Sequence, residues 1–428
     1  MARAAAGGKK KSKFSSRAEW LLSFVKRFNP KEERDAKVTV LDFEKPLAEL
    51  DKRIREVRDV ASENGVDVSE QVKELERRAV QLRIETYSRL TPPQRLNVAR
   101  HPNRPTFLDI VMNITDKWVE LHGDRAGFDD PAMVCGIGSM NGESFMFIGQ
   151  QKGRNTKENI HRNFGMPTPN GYRKALRFMK HADKFGMPIV TFVDTPGAYA
   201  GKTAEELGQG EAIALNLREM FGLSVPLISV VIGEGGSGGA LAIGCANKSL
   251  IMENAVYYVA SPEACAAILW KSRDKAAEAT KALRITSDDM VQLGIFDEVV
   301  PEPPGAAHTD PMAAFPLIRK SLLDSWEELR GMSPGHVRAQ RYAKFRDIGH
   351  FVDRAPNNPA LAASSPDARA RFDAALGVPA NTQVPAQPPG LLDGTLALAN
   401  AMNSVSLEDD DDLGEVGSAE EVLQELKQ

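Results

Sequence analysis

A glycine-rich stretch near the middle of the chain carries the residues best suited to chemistry. Its apolar first half predicts a buried strand over Pro226–Gly233, a glycine turn follows, and a short helix is predicted over Ala240–Cys245. Glycines let another group approach the backbone closely. A helix start presents unpaired N–H groups and a positive dipole end. Together these features predict a site for negative charge that develops on an oxygen atom.

The same stretch permits a second interpretation. Gly235-Gly236-Ser237-Gly238-Gly239 matches by letter the G-x-S-x-G turn that exposes the nucleophile of α/β-hydrolases. Such an enzyme needs a histidine beside the serine, and the histidines after Ser237 are His308, His336 and His350, without an evident partner. A serine among four glycines is more often a small turn residue. A serine hydrolase or peptidase that uses Ser237 remains the alternative.

A second turn follows the preceding predicted strand. Residues 194–201 read Asp-Thr-Pro-Gly-Ala-Tyr-Ala-Gly and come directly after the strand Pro188–Asp194. Ligands of α/β sheets bind beyond the carboxyl ends of the strands. Two such turns on successive strands indicate a binding cleft more strongly than one.

Three cations lie in a loop after another predicted strand, Phe145–Gln150. Lys152, Arg154 and Lys157 would suit a phosphate group. A solvated loop with internal charge pairs accounts for them equally well.

The chain as a whole alternates strands and helices, which predicts an α/β domain with both faces of its sheet covered. Apolar residues spaced by three and four over 44–90 predict a helical hairpin before this domain. The further predicted strands are Leu250–Glu253, Val256–Ala260 and Ile295–Pro301. The predicted helices are Gly171–Phe185, Ala204–Phe221, Pro262–Leu283, Ser287–Leu293, Pro311–Leu329 and Pro334–Asp347.

Composition limits the function. Among 428 residues, 42% are hydrophobic and 26% charged, as in ordinary globular proteins, and the net charge of −4 does not suggest a nucleic-acid binder. Cys135, Cys245 and Cys265 lie far apart, which argues against a disulfide framework and against a structural zinc site. No apolar run approaches the length of a membrane span.

The two ends differ from the middle. Residues 1–38 begin with six basic and no acidic residues within 1–17, which is typical of a trimmed organelle transit peptide or of a solvated basic tail. Residues 355–428 are rich in alanine and proline and end in an acidic block with nine carboxylates over 408–425. We expect this tail to be largely disordered.

Taken together, several motifs resemble the carboxyltransferase α subunit of multi-subunit acetyl-CoA carboxylase, in its cyanobacterial and plastid form. The resemblance covers about residues 39–350. The segments that carry it are 41–47, Leu121–Arg125, Gly149–Glu158, Arg162–Pro167, Asp194–Gly201, Gly233–Gly244 and Ser261–Lys271.

The resemblance implies a ClpP/crotonase-like spiral of ββα turns over 101–354, preceded by the helical hairpin at 39–100. It implies transfer of a carboxyl group from carboxybiotin, on a carrier protein, to acetyl-CoA, which gives malonyl-CoA for fatty-acid synthesis. Gly238 and Gly239 would hold the biotin oxygen, with Gly197, Ala198 and Ala240 around the cleft. Lys152, Arg154 and Lys157 are the candidates for coenzyme A phosphates. No metal is expected in this chain.

The resemblance also implies partners. These are a β subunit that holds the other half of the active site, a biotin carboxyl carrier protein and biotin carboxylase, around an α2β2 core. The basic start and acidic tail depart from the compact bacterial pattern and suggest a protein of the plastid stroma. Peripheral contact with a membrane stays open.

Overall fold

The computed structural model describes residues 39–64 and 68–349. Its centre is one eight-stranded mixed sheet. The strands are β1 (Lys117–Leu121), β2 (Met133–Met140), β3 (Glu143–Gln150), β4 (Ile189–Thr195), β5 (Leu227–Gly236), β6 (Lys248–Met252), β7 (Val256–Tyr258) and β8 (Glu298–Val300).

Helices precede and cover this sheet. They are α1 (Lys45–Asn64), α2 (Ser69–Ser88), α3 (Pro92–Ala99), α4 (Phe107–Ile114), α5 (Thr156–His161), α6 (Pro169–Lys184), α7 (Lys202–Glu206), α8 (Gln209–Gly222), α9 (Ser237–Leu241), α10 (Pro262–Trp270), α11 (Ala276–Ala282), α12 (Ser287–Gln292), α13 (Pro311–Leu329) and α14 (Pro334–Asp347). Short 3-10 turns lie at Asp42–Glu44, Asn163–Gly165 and Arg273–Lys275.

The predicted helical hairpin is confirmed. Ile54 of α1 is buried against Val72 and Ala79 of α2, because the three-and-four spacing places one apolar stripe on each helix. The charged residues that flank this stripe form ion pairs on the outside, such as Arg53 with Glu49.

The sheet changes direction at β3. Strands β1, β2 and β3 pair antiparallel, whereas β3, β4, β5, β6 and β8 run parallel in that order. Strand β5 pairs with β6 along Ile228–Val231 and then with β7 along Glu234–Gly236. Its residues are buried throughout, as expected for a parallel strand covered on both faces. This α/β layout agrees with the crotonase-like arrangement of ββα turns that the resemblance implies.

Helices α13 and α14 have the predicted bounds, but two other predicted helices are each interrupted. The helix expected over Ala204–Phe221 is split into α7 and α8 at Gly208, whose φ is 80°. The helix expected over Pro262–Leu283 ends at Lys271, whose φ is 54°, and resumes as α11. A left-handed residue cannot continue a right-handed helix. Strands β1 and β2 were not predicted, because glycines and polar residues obscure the period of β2.

The glycine segment also differs from its prediction. Strand β5 does not stop at Gly233 but continues to Gly236, since Gly235 and Gly236 still pair with Tyr257 and Tyr258 of β7. The helix begins at Ser237 and ends at Leu241, rather than spanning Ala240–Cys245. The glycines therefore lie at a direct junction of strand and helix.

The predictions for 1–38 and for 355–428 fall outside the described residues. Within the described residues, none of the helices is both long enough and apolar enough to cross a membrane.

Candidate active site

The two turns predicted from the sequence meet in the structure. A Cβ atom on Gly236 would overlap the carbonyl oxygen of Pro196, and one on Gly239 would lie 2.6 Å from the backbone nitrogen of Ala198. No side chain fits into gaps of this size, so glycine is required at both positions. The structure thus brings together Gly239, Gly197 and Ala198, three of the residues that the resemblance assigns to the biotin site.

One side of this junction is open. A Cβ atom on Gly197 would meet nothing within 4 Å, and one on Gly238 would meet only Ile213, at ordinary contact distances. Ser237 is exposed and Gly238 is half-buried, whereas Gly239 and Ala240 are buried. A ligand could therefore approach the start of α9 from the side of Gly197 and Gly238.

Three backbone amides at this opening have no partner in another segment. Within the described residues, the N–H groups of Ala198, Gly238 and Gly239 donate no backbone hydrogen bond outside their own helix or turn. The N–H groups of a first helical turn lack an acceptor within the helix. N–H groups without an acceptor can donate hydrogen bonds to a negatively charged oxygen atom, which is the chemistry expected of an oxyanion site.

Ser237 has the geometry of a strained turn residue, with a φ of 52°. Among the described residues, no histidine or carboxylate forms a hydrogen bond with its hydroxyl group. His308 is engaged with Glu44, so it does not act as a general base for Ser237. This geometry does not favour the hydrolase alternative.

A buried charge network lies behind the two turns. Lys152 Nζ is 2.8 Å from Asp194 Oδ1 and 3.2 Å from Glu234 Oε1. Glu234 also pairs with Arg100 at 2.5 Å and accepts a hydrogen bond from Tyr258 at 2.8 Å. Burial disfavours the charged form of Glu234, but Lys152 and Arg100 outweigh it and hold the pKa of Glu234 at about 2. Burial likewise opposes the charge of Lys152, yet its two carboxylates raise its pKa.

The three cations proposed for phosphate binding have separate environments. Lys152 is engaged in this network, and Arg154 pairs with Asp109. Lys157 is exposed on α5. Lys152 and Arg154 therefore already neutralise carboxylates of this chain.

Sequence reasoning missed two side chains that hold the junction. Gln150 is fully buried, and its Nε2 donates to the Gly239 carbonyl oxygen at 2.7 Å. Tyr172, also fully buried, has its hydroxyl 3.5 Å from the same oxygen. The available signal was the polar Gln150-Gln151 pair directly after the apolar strand β3.

A second polar cluster joins the hairpin to the core. Glu44, His101 and His308 form the only group of three possible metal ligands within the described residues. The carboxylate of Glu44 accepts hydrogen bonds from His308 Nε2 at 2.8 Å, from the Leu41 N–H at 2.9 Å and from the Tyr87 hydroxyl. His101 donates from Nε2 to the Thr39 carbonyl and accepts from the Asn103 N–H at Nδ1. Glu44, Tyr87, His101 and His308 thus form a hydrogen-bonded cluster between the hairpin and the core, which we call the hairpin latch.

The hairpin latch borders a cavity of about 680 Å³ between the hairpin and the core. None of the residues at the junction of the two turns lines this cavity. The cavity and the candidate oxyanion site are therefore separate features.

The comparisons with known proteins identify the family. Residues 40–349 match the family model described as acetyl co-enzyme A carboxylase carboxyltransferase-like. A chloroplastic α subunit of acetyl-coenzyme A carboxylase carboxyl transferase from Arabidopsis thaliana is 60% identical over 339 residues, which cover 79% of this chain and 44% of that protein. The α subunit from Synechococcus elongatus is 58% identical over 74% of this chain and 97% of its own length. The chain belongs to this carboxyltransferase family.

More distant solved structures are also similar. A transcarboxylase 12S structure is 20% identical with a TM-score of 0.44 and covers 58% of this chain and 43% of its own chain. A Pseudomonas malonate decarboxylase hetero-tetramer is 19% identical with a TM-score of 0.42, over 57% and 90% of the two chains.

Proposed function

We propose that the chain is the α subunit of an acetyl-CoA carboxylase carboxyltransferase and that its two turns form the biotin side of the active site. The observation that carries this proposal is the cluster of free amide donors at Ala198, Gly238 and Gly239, in a chain of the carboxyltransferase family. The donors are backbone groups, so no catalytic side-chain triad is needed.

The residues fit the carboxybiotin that the family implies. A Cβ on Gly197 would meet open space and one on Gly238 only ordinary contacts, so we expect a ligand to reach the donors from this side, with buried Ala240 next to them in the chain. Carboxybiotin, when bound, supplies the carboxyl group and a urea oxygen that gains negative charge as this group leaves. The Gly238 and Gly239 amides would donate hydrogen bonds to that oxygen, and the 196–198 turn would form the cleft wall. Such donors act because they are in place before charge develops.

The acceptor and the partners follow from the same proposal. The relatives are named as α subunits of a carboxyl transferase, which implies partner subunits. We expect a β subunit to hold the thioester enolate of acetyl-CoA and to complete an α2β2 core. The biotin carboxyl carrier protein would bring its carboxybiotin to the two turns, and biotin carboxylase would belong to the larger complex.

Reconstitution tests the proposal. The full chain, mixed with a β subunit and acetyl-CoA and supplied with carboxybiotin made on a carrier protein by biotin carboxylase, bicarbonate and MgATP, should form malonyl-CoA. It should form none without the β subunit. Gly239→Ala should lower the rate by about 10²–10³-fold, the usual effect of losing one oxyanion donor, since its Cβ would push the two turns apart. Gly222→Ala, where a Cβ meets nothing within 4 Å, is the matched control. Full activity of Gly239→Ala would contradict the proposed site.

We also propose a plastid location, supported by the chloroplastic relative from Arabidopsis thaliana and by the cyanobacterial relatives. The full chain with a C-terminal fluorescent tag should accumulate in plastids of a plant or algal cell. A purely cytosolic signal would contradict this location.

A further inference from the structure

The side chain of Gln150 connects both turns of the candidate site from inside the protein. It lies at the end of β3, between β2 and β4 in the sheet. Its Nε2 donates to the Gly239 carbonyl oxygen at 2.7 Å, and its Oε1 accepts from the Asp194 N–H at 3.0 Å. One amide group therefore joins the end of β4 to the first turn of α9.

The start of α9 needs such a restraint. Gly238 and Gly239 lack side chains, so their peptide planes can rotate more freely than any others. In a trans peptide the C=O and N–H bonds point in opposite directions, and in a helix all N–H groups point toward the N-terminus. The Gly239 carbonyl shares its peptide plane with the Ala240 N–H, so the bond from Gln150 fixes that plane directly. Because the N–H groups of successive helical residues are nearly parallel, it also restrains the Gly238 and Gly239 N–H groups just before it.

Other buried side chains restrain the segment farther along. Thr191 Oγ1 donates to the Ile243 carbonyl and Asn216 Nδ2 to the Ala242 carbonyl. Tyr172 reaches the Gly239 carbonyl only at 3.5 Å. Gln150 thus makes the one short side-chain hydrogen bond to the first turn of α9 within the described residues.

The chemistry of the position selects an uncharged amide. The side chain must donate to a carbonyl and accept from an N–H at the same time, with no access to water. A carboxylate would repel the Gly239 carbonyl. An apolar side chain would leave the Asp194 N–H without its partner and the carbonyl with only the 3.5 Å contact from Tyr172.

We propose that Gln150 is a positioning residue that sets the direction of the Gly238 and Gly239 amides. This inference rests on the proposed function, because it assigns Gln150 a role in the same oxyanion site. Gln150 is fully buried and both atoms of its side-chain amide bind protein groups, so the role we assign to it acts through the backbone and not through contact with a ligand.

The neighbouring residue offers a matched control. Gln151 is also buried and also makes two hydrogen bonds, from Nε2 to the Lys152 carbonyl and to Oε1 from the Leu108 N–H. It therefore loses as many hydrogen bonds as Gln150 on substitution by methionine, but it connects α4 rather than the site.

The experiment compares Gln150→Met and Gln151→Met in the full chain with its β subunit. Gln150→Met should lower kcat for malonyl-CoA formation about 10²-fold with little change in KM for acetyl-CoA. Gln151→Met should keep kcat within a few-fold at a similar thermal stability. Equal losses of kcat in the two variants, or full activity of Gln150→Met, would overturn the inference.

Two further readouts separate positioning from general structure. Hydrogen exchange over 237–245 should be faster in Gln150→Met and unchanged in Gln151→Met. This result does not depend on activity, so it tests Gln150 even if the wild-type complex forms no malonyl-CoA, an outcome that would contradict the proposed function alone.

Gln150→Glu should recover activity relative to Gln150→Met as the pH falls, because only a protonated carboxyl group can donate to the Gly239 carbonyl. A flat pH dependence of that ratio, or unchanged exchange over 237–245 in Gln150→Met, would count against the inference.

Discussion

Glu44 and His308 are separated by 264 positions in the chain, yet their side chains are joined by a hydrogen bond of 2.8 Å between Oε1 and Nε2. Both side chains are buried. This bond connects the segment before α1 to the loop before α13. The helical hairpin is therefore fixed to the core at its base, where the hairpin latch lies.

Substitution of Glu44 should loosen the hairpin. Glu44→Gln keeps the side-chain shape but removes the charge, and it places NH2 hydrogens beside groups that are themselves donors. We therefore expect the free energy of unfolding to fall by about 1–3 kcal/mol. Hydrogen exchange should increase over 45–88 more than in the sheet. The control is Glu49→Gln, which removes an exposed ion pair with Arg53 and should cost less than about 1 kcal/mol. Equal effects of the two variants would contradict the latch.

The hairpin latch should also be sensitive to acid. Burial opposes the charge of Glu44, but hydrogen bonds from His308, Tyr87 and Leu41 outweigh it and hold the pKa of Glu44 at about 2, below the ordinary 4.5. A lowered pKa stabilises the fold fully above pH 4.5, and this contribution is lost as the pH falls toward 2. The contribution of this carboxylate to the free energy of unfolding amounts to about 3 kcal/mol.

The measurement is the stability difference between wild type and Glu44→Gln, followed from pH 6 to pH 3. This difference should shrink as the pH falls. A difference that stays constant over this range would show that Glu44 has an ordinary pKa.

Lys152 should matter for stability rather than for phosphate binding. Lys152→Met would leave Asp194 and Glu234 buried with less positive charge, which typically costs about 3–5 kcal/mol. Lys157→Ala, on the exposed face of α5, should leave stability unchanged and raise KM for acetyl-CoA if it contacts a phosphate. Denaturant unfolding and steady-state kinetics of both variants distinguish these roles. A well-folded Lys152→Met protein with only a raised KM would reverse the assignment.

Ser237 should not act as a nucleophile. Ser237→Ala should keep most carboxyltransferase activity, because the proposed donors are backbone amides. Ser237→Gly should keep activity as well, since glycine adopts a positive φ without strain. The measurement is malonyl-CoA formation by the reconstituted complex. A loss of several orders of magnitude in Ser237→Ala would revive the hydrolase interpretation.

Close packing of the two turns predicts a sharp steric limit at Gly236. Gly236→Ala would place a Cβ onto the Pro196 carbonyl oxygen. This substitution should lower the free energy of unfolding by about 1–3 kcal/mol and should also lower activity. Gly331→Ala, where a Cβ meets nothing within 4 Å, should have no such effect. Thermal unfolding of the two variants is the test, and equal stability would contradict the close approach.

The sequence predicted most where a local pattern decides the structure. The parallel strands appear as continuous apolar runs, and helices α13 and α14 begin at Pro311 and Pro334 as predicted, because proline at the first helical position fixes both φ and the helix start. The pattern also locates the glycine segment, but it predicts the end of the strand at Gly233 instead of Gly236. Pairing with β7 extends β5 to Gly236, and this pairing depends on tertiary contacts that no local pattern contains.

The residues that support the site are harder to predict from the sequence. Lys152, Asp194 and Glu234 each follow or end a different strand, and neighbouring parallel strands place such positions together. The sequence therefore contains a signal for this cluster, although the loop pattern by itself assigns Lys152 to a ligand phosphate and gives Asp194 and Glu234 no role. The role of Gln150 could not be predicted, because it depends on which carbonyl oxygen lies across the sheet.

Strand β5 has one neighbour, β6, along its first half and another, β7, along its second half. The last three residues before the helix are thereby anchored by main-chain bonds on the β7 side and by the Pro196 turn on the other. The opening they border is part of the sheet itself, so it is already shaped before any ligand arrives. Binding need not order this edge, and affinity there should carry little entropic cost from the backbone.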